Sequence, residues 1–88
     1  MRYKRRTGVS ETAIDDELFL ADSSSGELFH LDRTATGLWS LLSEPSAFET
    51  ILGTFRAAFP DIPADRVERD LRQALAMLMA RGLIVTVP

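Results

Sequence analysis

The stretch Glu17–Asp32, ELFLADSSSGELFHLD, constrains the fold of this chain more than any other. Two short apolar runs, Leu18–Ala21 and Leu28–Leu31, flank Ser23-Ser24-Ser25-Gly26. Runs this short, bounded by turn residues, read as strands, and Gly26 supplies the positive φ of a tight hairpin loop. With Asp22 opposite Glu27, the pairs become Ala21–Leu28, Leu20–Phe29, Phe19–His30 and Leu18–Leu31. Side-chain alternation then puts Leu18, Leu20, Phe29 and Leu31 on one face, suited to a core. Phe19, Ala21, Leu28 and His30 share the other. The ribbon carries apolar groups on both faces, which one core does not require.

The rest of the chain supplies the cover. Glu11–Asp15 alternates weakly as a first strand, Asp15-Asp16 has turn chemistry, and Glu17–Asp22 and Glu27–Leu31 are the second and third strands. Asp32 is a natural N-cap for a helix over about Arg33–Ser43, with Ala35, Leu38, Trp39 and Leu42 on one stripe. Gly37 inside that helix reads as the site of a close helix–sheet approach. Glu44-Pro45 ends it. Ser46 and Glu49 form a capping box for a second helix, whose stripe is Phe48, Ile51, Leu52, Phe55 and Phe59. Pro60 stops that helix, and a third runs over about Pro63–Arg81, with Gly82 just past its end. Leu83–Val87 is a β-branched tail, either a short strand or a cover for the core. The order is that of a small α+β domain with segregated strands and helices.

Bulk properties narrow the function. The chain has 88 residues, enough for one domain, and its 45% hydrophobic content is that of a globular one. It has no cysteine and one histidine, so neither a disulfide framework nor a structural zinc site is expected, and a cytoplasmic setting fits. Nothing approaches a membrane span or a secretory signal. Four of the ten basic residues lie in the first six positions, leaving residues 7–88 with a net charge of −7. Residues 1–10 therefore read as a basic, solvated arm before a domain over 11–88, and the acidic body argues against nucleic acid. Asp15-Asp16-Glu17 reads as a solvated turn. No nucleophile–base constellation is visible, so catalysis is not expected.

The third helix repeats the hairpin's excess. Val67, Leu71, Ala74, Leu75 and Leu78 suffice to anchor it, yet Ala76, Met77, Met79 and Ala80 lie outside that stripe. If the third strand is a sheet edge, its unpaired main-chain groups and this helix together offer a site for an added strand.

These residues resemble a known family. Gly26 followed by Leu28-Phe29-His30-Leu31-Asp32, then Gly37-Leu38-Trp39, and the closing Asp70-Leu71, Leu75, Leu78 and Arg81-Gly82-Leu83-Ile84 look like the PqqD-like family. These are the peptide chaperones also called RiPP recognition elements (RiPP: ribosomally made, post-translationally modified peptide). The likeness spans about residues 8–85 and implies a winged-helix-like fold of three antiparallel strands followed by three helices. It implies no catalysis and no cofactor. The expected partner is the leader segment of a precursor peptide, added as a strand beside the third strand and third helix. That leader is delivered to a modifying enzyme, often a radical-SAM enzyme, as in coenzyme PQQ or lasso-peptide synthesis. Transferred by position, the site comprises Glu27, Leu28, Phe29, His30 and Leu31 with Leu75 and Met79, and Arg69 and Arg72 as partners for leader carboxylates. A winged-helix DNA-binding regulator and a homodimeric structural module remain as alternatives, and dimerisation is compatible with the adaptor reading too.

Overall fold

The computed structural model describes all 88 residues. Eight elements follow in order: β1 (Arg2–Arg5), β2 (Val9–Ile14), β3 (Glu17–Asp22), β4 (Leu28–Leu31), α1 (Arg33–Leu41), α2 (Phe48–Ala58), α3 (Ala64–Ala80) and β5 (Ile84–Val87). An antiparallel sheet has the order β2-β3-β4, and β1 and β5 form a separate antiparallel ribbon. The fold is α+β and winged-helix-like, with the three expected strands as β2, β3 and β4.

The hairpin has the expected register, Leu18 opposite Leu31 through Ala21 opposite Leu28. Its loop closes with the Asp22 N–H donating to the Glu27 carbonyl at 3.0 Å, and Gly26 takes a φ of +76°. Leu20 and Leu31 are buried, while Leu18 and Phe29 are half-buried against the same core. The β2–β3 turn puts Asp15 and Asp16 at φ of 51° and 67°, the left-handed pair that a two-residue hairpin turn demands.

α1 and α3 bury their expected stripes, and α2 buries Ile51, Leu52 and Phe55 with Phe48 and Phe59 half-buried at its ends. Asp32 caps α1, its Oδ1 accepting from the Ala35 N–H at 2.8 Å. The expected capping box at α2 does not form. Ala47 is the N-cap, and Ser46 instead exchanges two main-chain bonds with Tyr3 of β1, at 2.8 and 2.9 Å. α3 stops in a Schellman motif: the Leu83 N–H bonds the Leu78 carbonyl, and the Gly82 N–H bonds that of Met79. This turn drops Leu83 into the core, fully buried. Gly37 also differs from expectation. A Cβ there would lie 3.4 Å from Cζ of Phe55, so the close approach is between α1 and α2, not helix on sheet.

Gly53 lies exposed in the middle of α2, and an added Cβ would meet nothing within 4 Å. Gly53→Ala is expected to stabilise the protein by about 1 kcal/mol, the helix-propensity difference. A thermal melt should move up by roughly 4–8 °C.

The first ten residues correct the sequence reading. They are no free arm, and no boundary falls at residue 10. β1 pairs along β5, and β2 already starts at Val9. The Arg5 guanidinium lies 4.5 Å from the centroid of the Trp39 ring and donates twice to the Trp39 carbonyl, at 3.0 and 2.6 Å. The Trp39 indole N–H donates to Glu11 at 2.7 Å. Arg6 bridges Asp22 at 2.7 Å and donates to the Gly82 carbonyl. The reason is long-range: β5 needs a strand partner, and arginine brings a stem that packs and a head that bonds carbonyls.

Asp22 is held on two sides. Its Oδ1 accepts from the Ser24 hydroxyl and N–H, and its Oδ2 faces Arg6. These contacts, the Ser24 hydroxyl foremost, hold its carboxyl well below the ordinary value of 3.8. The folded chain therefore binds this proton less tightly than the unfolded one. Its contribution is complete above about pH 5 and falls away as pH drops below about 4 towards the folded value. Urea midpoints measured from pH 6 down to 2 should decline less steeply for Asp22→Asn than for the wild type.

Candidate functional site

The site begins with β4 as a sheet edge. Its pairing is confined to β3, so one side of the strand is unpaired. In an antiparallel pair, main-chain groups alternate between facing the neighbour and facing away. The Asp22–Glu27 bond fixes the phase. Phe29 and Leu31 turn their N–H and C=O groups to β3, and Leu28 and His30 turn theirs to the open edge. Leu28 is also 62% exposed, more than any other large apolar side chain after Met1.

The second wall is one flank of α3. An open groove of about 310 Å³ is lined by Asp32, Thr34 and Ala35 at the β4–α1 junction and by Asp70, Gln73, Ala74 and Met77 of α3. One turn beyond Met77, the Arg81 guanidinium lies 5.3 Å from the centroid of the Phe29 ring. The helix thus runs alongside β4 in the opposite sense, Asp70 near the Asp32 end and Arg81 near Phe29. A strand laid along β4 would have main-chain partners on one side and this flank on the other.

The expected site residues divide accordingly. Glu27–Leu31 form the edge strand and its approach, with Leu28 and His30 facing the open side. His30 packs at a tilt against Phe19, with 5.1 Å between ring centroids, and its Nε2 lies 3.2 Å from Glu17. Leu75 is buried in the core and has no face for a ligand. Arg69 and Arg72 line a different depression on the outer face of α3, with Asp65, Glu68, Gln73 and Ala76. Arg72 is engaged there with Glu68 at 3.0 Å and with the Phe48 ring at 4.2 Å. Met79 turns towards Arg6, Gly82 and β5. Asp70 and Gln73 line the groove and Arg81 lies one turn beyond it, and none of the three is among the residues expected from sequence. The signal available was Met77, which lies outside the buried stripe yet is half-buried. No group of His, Cys, Asp or Glu is placed to hold a metal ion, and no helix is long and apolar enough to cross a membrane.

Comparison with known families agrees with this architecture. The family described as coenzyme PQQ synthesis protein D (PqqD) matches residues 17–84, which includes β3, β4 and all three helices. The chain belongs to the PqqD family. No functionally curated protein matches it. Among solved structures, this PqqD-family domain is similar to TbiB1 in complex with the TbiA(beta) leader peptide, with 33% identity and a TM-score of 0.81. That match covers 97% of this chain and 98% of the other. It shares its fold with lasso peptide synthetase B1 complexed with the leader peptide, with 22% identity, a TM-score of 0.77, and 96% and 98% of the two chains covered. Both matches extend well beyond the family match over residues 17–84, outside which β1 and most of β5 lie.

Proposed function

We propose that this protein is a non-catalytic adaptor that captures the leader segment of a ribosomally made precursor peptide and presents it to a modifying enzyme. The leader adds to the sheet as a strand on β4, bonding the outward N–H and C=O groups of Leu28 and His30. Its side chains on one face pack against Ala74 and Met77 of α3. The observation that carries the reading is the near full-length similarity, at 33% identity, to a protein solved with a leader peptide, joined to a free strand edge with a groove against α3 at its Asp32 end. Main-chain bonds give affinity without demanding a sequence, and the groove supplies selectivity.

The test is capture from native-host extract on immobilised protein, with bound chains identified by mass spectrometry. A short precursor peptide and its modifying enzyme should be retained by the wild type and lost on a Leu28→Lys column. Retention of the same peptide by both columns would remove β4 as the site.

A further inference from the structure

The α3 flank that lines the groove, continued one turn to Arg81, carries opposite charges towards its two ends. At its Asp32 end stand two carboxylates. Asp32 spends one oxygen on the α1 cap, and Asp70 has only a 4.0 Å contact with Arg66, its side chain 44% exposed. At the other end stands Arg81, exposed, with no carboxylate partner and lying over Phe29. Between them the α3 flank is neutral: Gln73, Ala74 and Met77. The two carboxylates and Arg81 therefore stand at opposite ends of this wall, with Arg66 one turn beyond Asp70.

Length then sets the spacing. Asp70 and Arg81 are eleven positions apart on α3, or roughly 16 Å at 1.5 Å per residue. Asp32 and Phe29, three positions apart, span roughly 10 Å of extended chain. A strand covering about 10–16 Å places three to five residue steps between its contacts at the two ends. Side chains of a strand that share a face are separated by even steps, which selects four.

Resting on the reading of β4 as the peptide edge, we infer that the bound peptide carries a cationic residue and an anionic residue four positions apart, with an apolar residue midway. The cation meets Asp70 at the Asp32 end, the apolar group meets Ala74 and Met77, and the anion meets Arg81. This reverses the sequence-based assignment of leader carboxylates to Arg69 and Arg72, which line the outer face of α3. It also ties charge order to strand direction. An antiparallel addition reads cation first along the peptide, and a parallel one reads anion first.

The experiment is selection of a phage-displayed library of random twelve-residue peptides on the full-length protein, followed by binding titrations of enriched sequences at low and high salt. Enriched peptides should show the opposite charges at i and i+4 around an apolar residue. Asp70→Lys should weaken them about fivefold and restore binding when the peptide's cation becomes Glu. Asp70 is chosen over Asp32 because it caps no helix. Arg81→Gln should produce a smaller loss without placing an acid at the C-terminus of α3. Enrichment of peptides that need the β4 edge but show no charge order, or an order indifferent to both variants, would overturn the inference and leave the adaptor reading standing. Enriched peptides that bind a Leu28→Pro variant as well as the wild type, or no enrichment at all, would overturn both.

Discussion

Leu28→Pro is expected to abolish peptide capture while leaving the domain folded. Leu28 is the first residue of β4 and its N–H faces away from β3, a position where proline is tolerated in a strand. The substitution removes a main-chain donor from the open edge, removes an exposed apolar group, and puts a ring where the added strand must approach. A lost hydrogen bond and a lost apolar contact together amount to about 2–3 kcal/mol, or roughly 30- to 150-fold in affinity. Titration of a captured peptide reads the effect, and circular dichroism with a thermal melt verifies the fold. Thr12→Lys, on the opposite edge strand β2, serves as the control and should bind normally. If Thr12→Lys weakens binding and Leu28→Pro does not, the peptide uses the other edge.

Deletion of residues 1–6 should produce the largest loss of stability, although their composition reads as a dispensable charged tail. The deletion takes away β1, the Arg5 stack on Trp39 and its two bonds to the Trp39 carbonyl, and the Arg6 bridge to Asp22. It also leaves β5 without a strand partner. Charge-assisted bonds contribute about 1.5–3 kcal/mol and a cation–π contact about 0.5–1, so a cost near 3–5 kcal/mol is expected. That is a large fraction of what a domain of this size possesses. Chemical denaturation should show the midpoint falling sharply. A truncated protein with unchanged stability would mean that the ribbon adds nothing to the fold.

The parts legible in the sequence are those set by local chemistry. Alternation around Ser23–Gly26 sufficed for the β3–β4 register, because a one-residue slip would expose Leu20 and Leu31, both now buried. The buried stripe of α3 followed from spacing alone, as did Gly82 as the terminating residue. Illegible were the features decided at a distance. Arg2–Arg5 has no apolar alternation, and its strand exists because β5 and the Trp39 carbonyl are there to receive it. Ser46 looks like a helix cap until Tyr3 takes its backbone. The helix side of the candidate site was less legible than its strand. A helical stripe tells which side of α3 faces inward, but not which of its two flanks lies beside β4, so Arg69 and Arg72 were favoured over Gln73 and Arg81. Leu75 was assigned to a groove when it belongs to the interior.

The pairing of Arg2 with Val87 has a consequence for how such a domain can be carried. Its first and last residues sit side by side, so a few added residues would join them into a circle. A loop of another protein could equally receive the whole unit, since the entering and leaving chains are already adjacent. Fusion at either end leaves the β4 main chain untouched, whereas new termini cut into Ser23–Gly26 would fray the strand proposed to receive the peptide. As architecture the domain is a cassette, closed at its ends and open along the edges of its sheet.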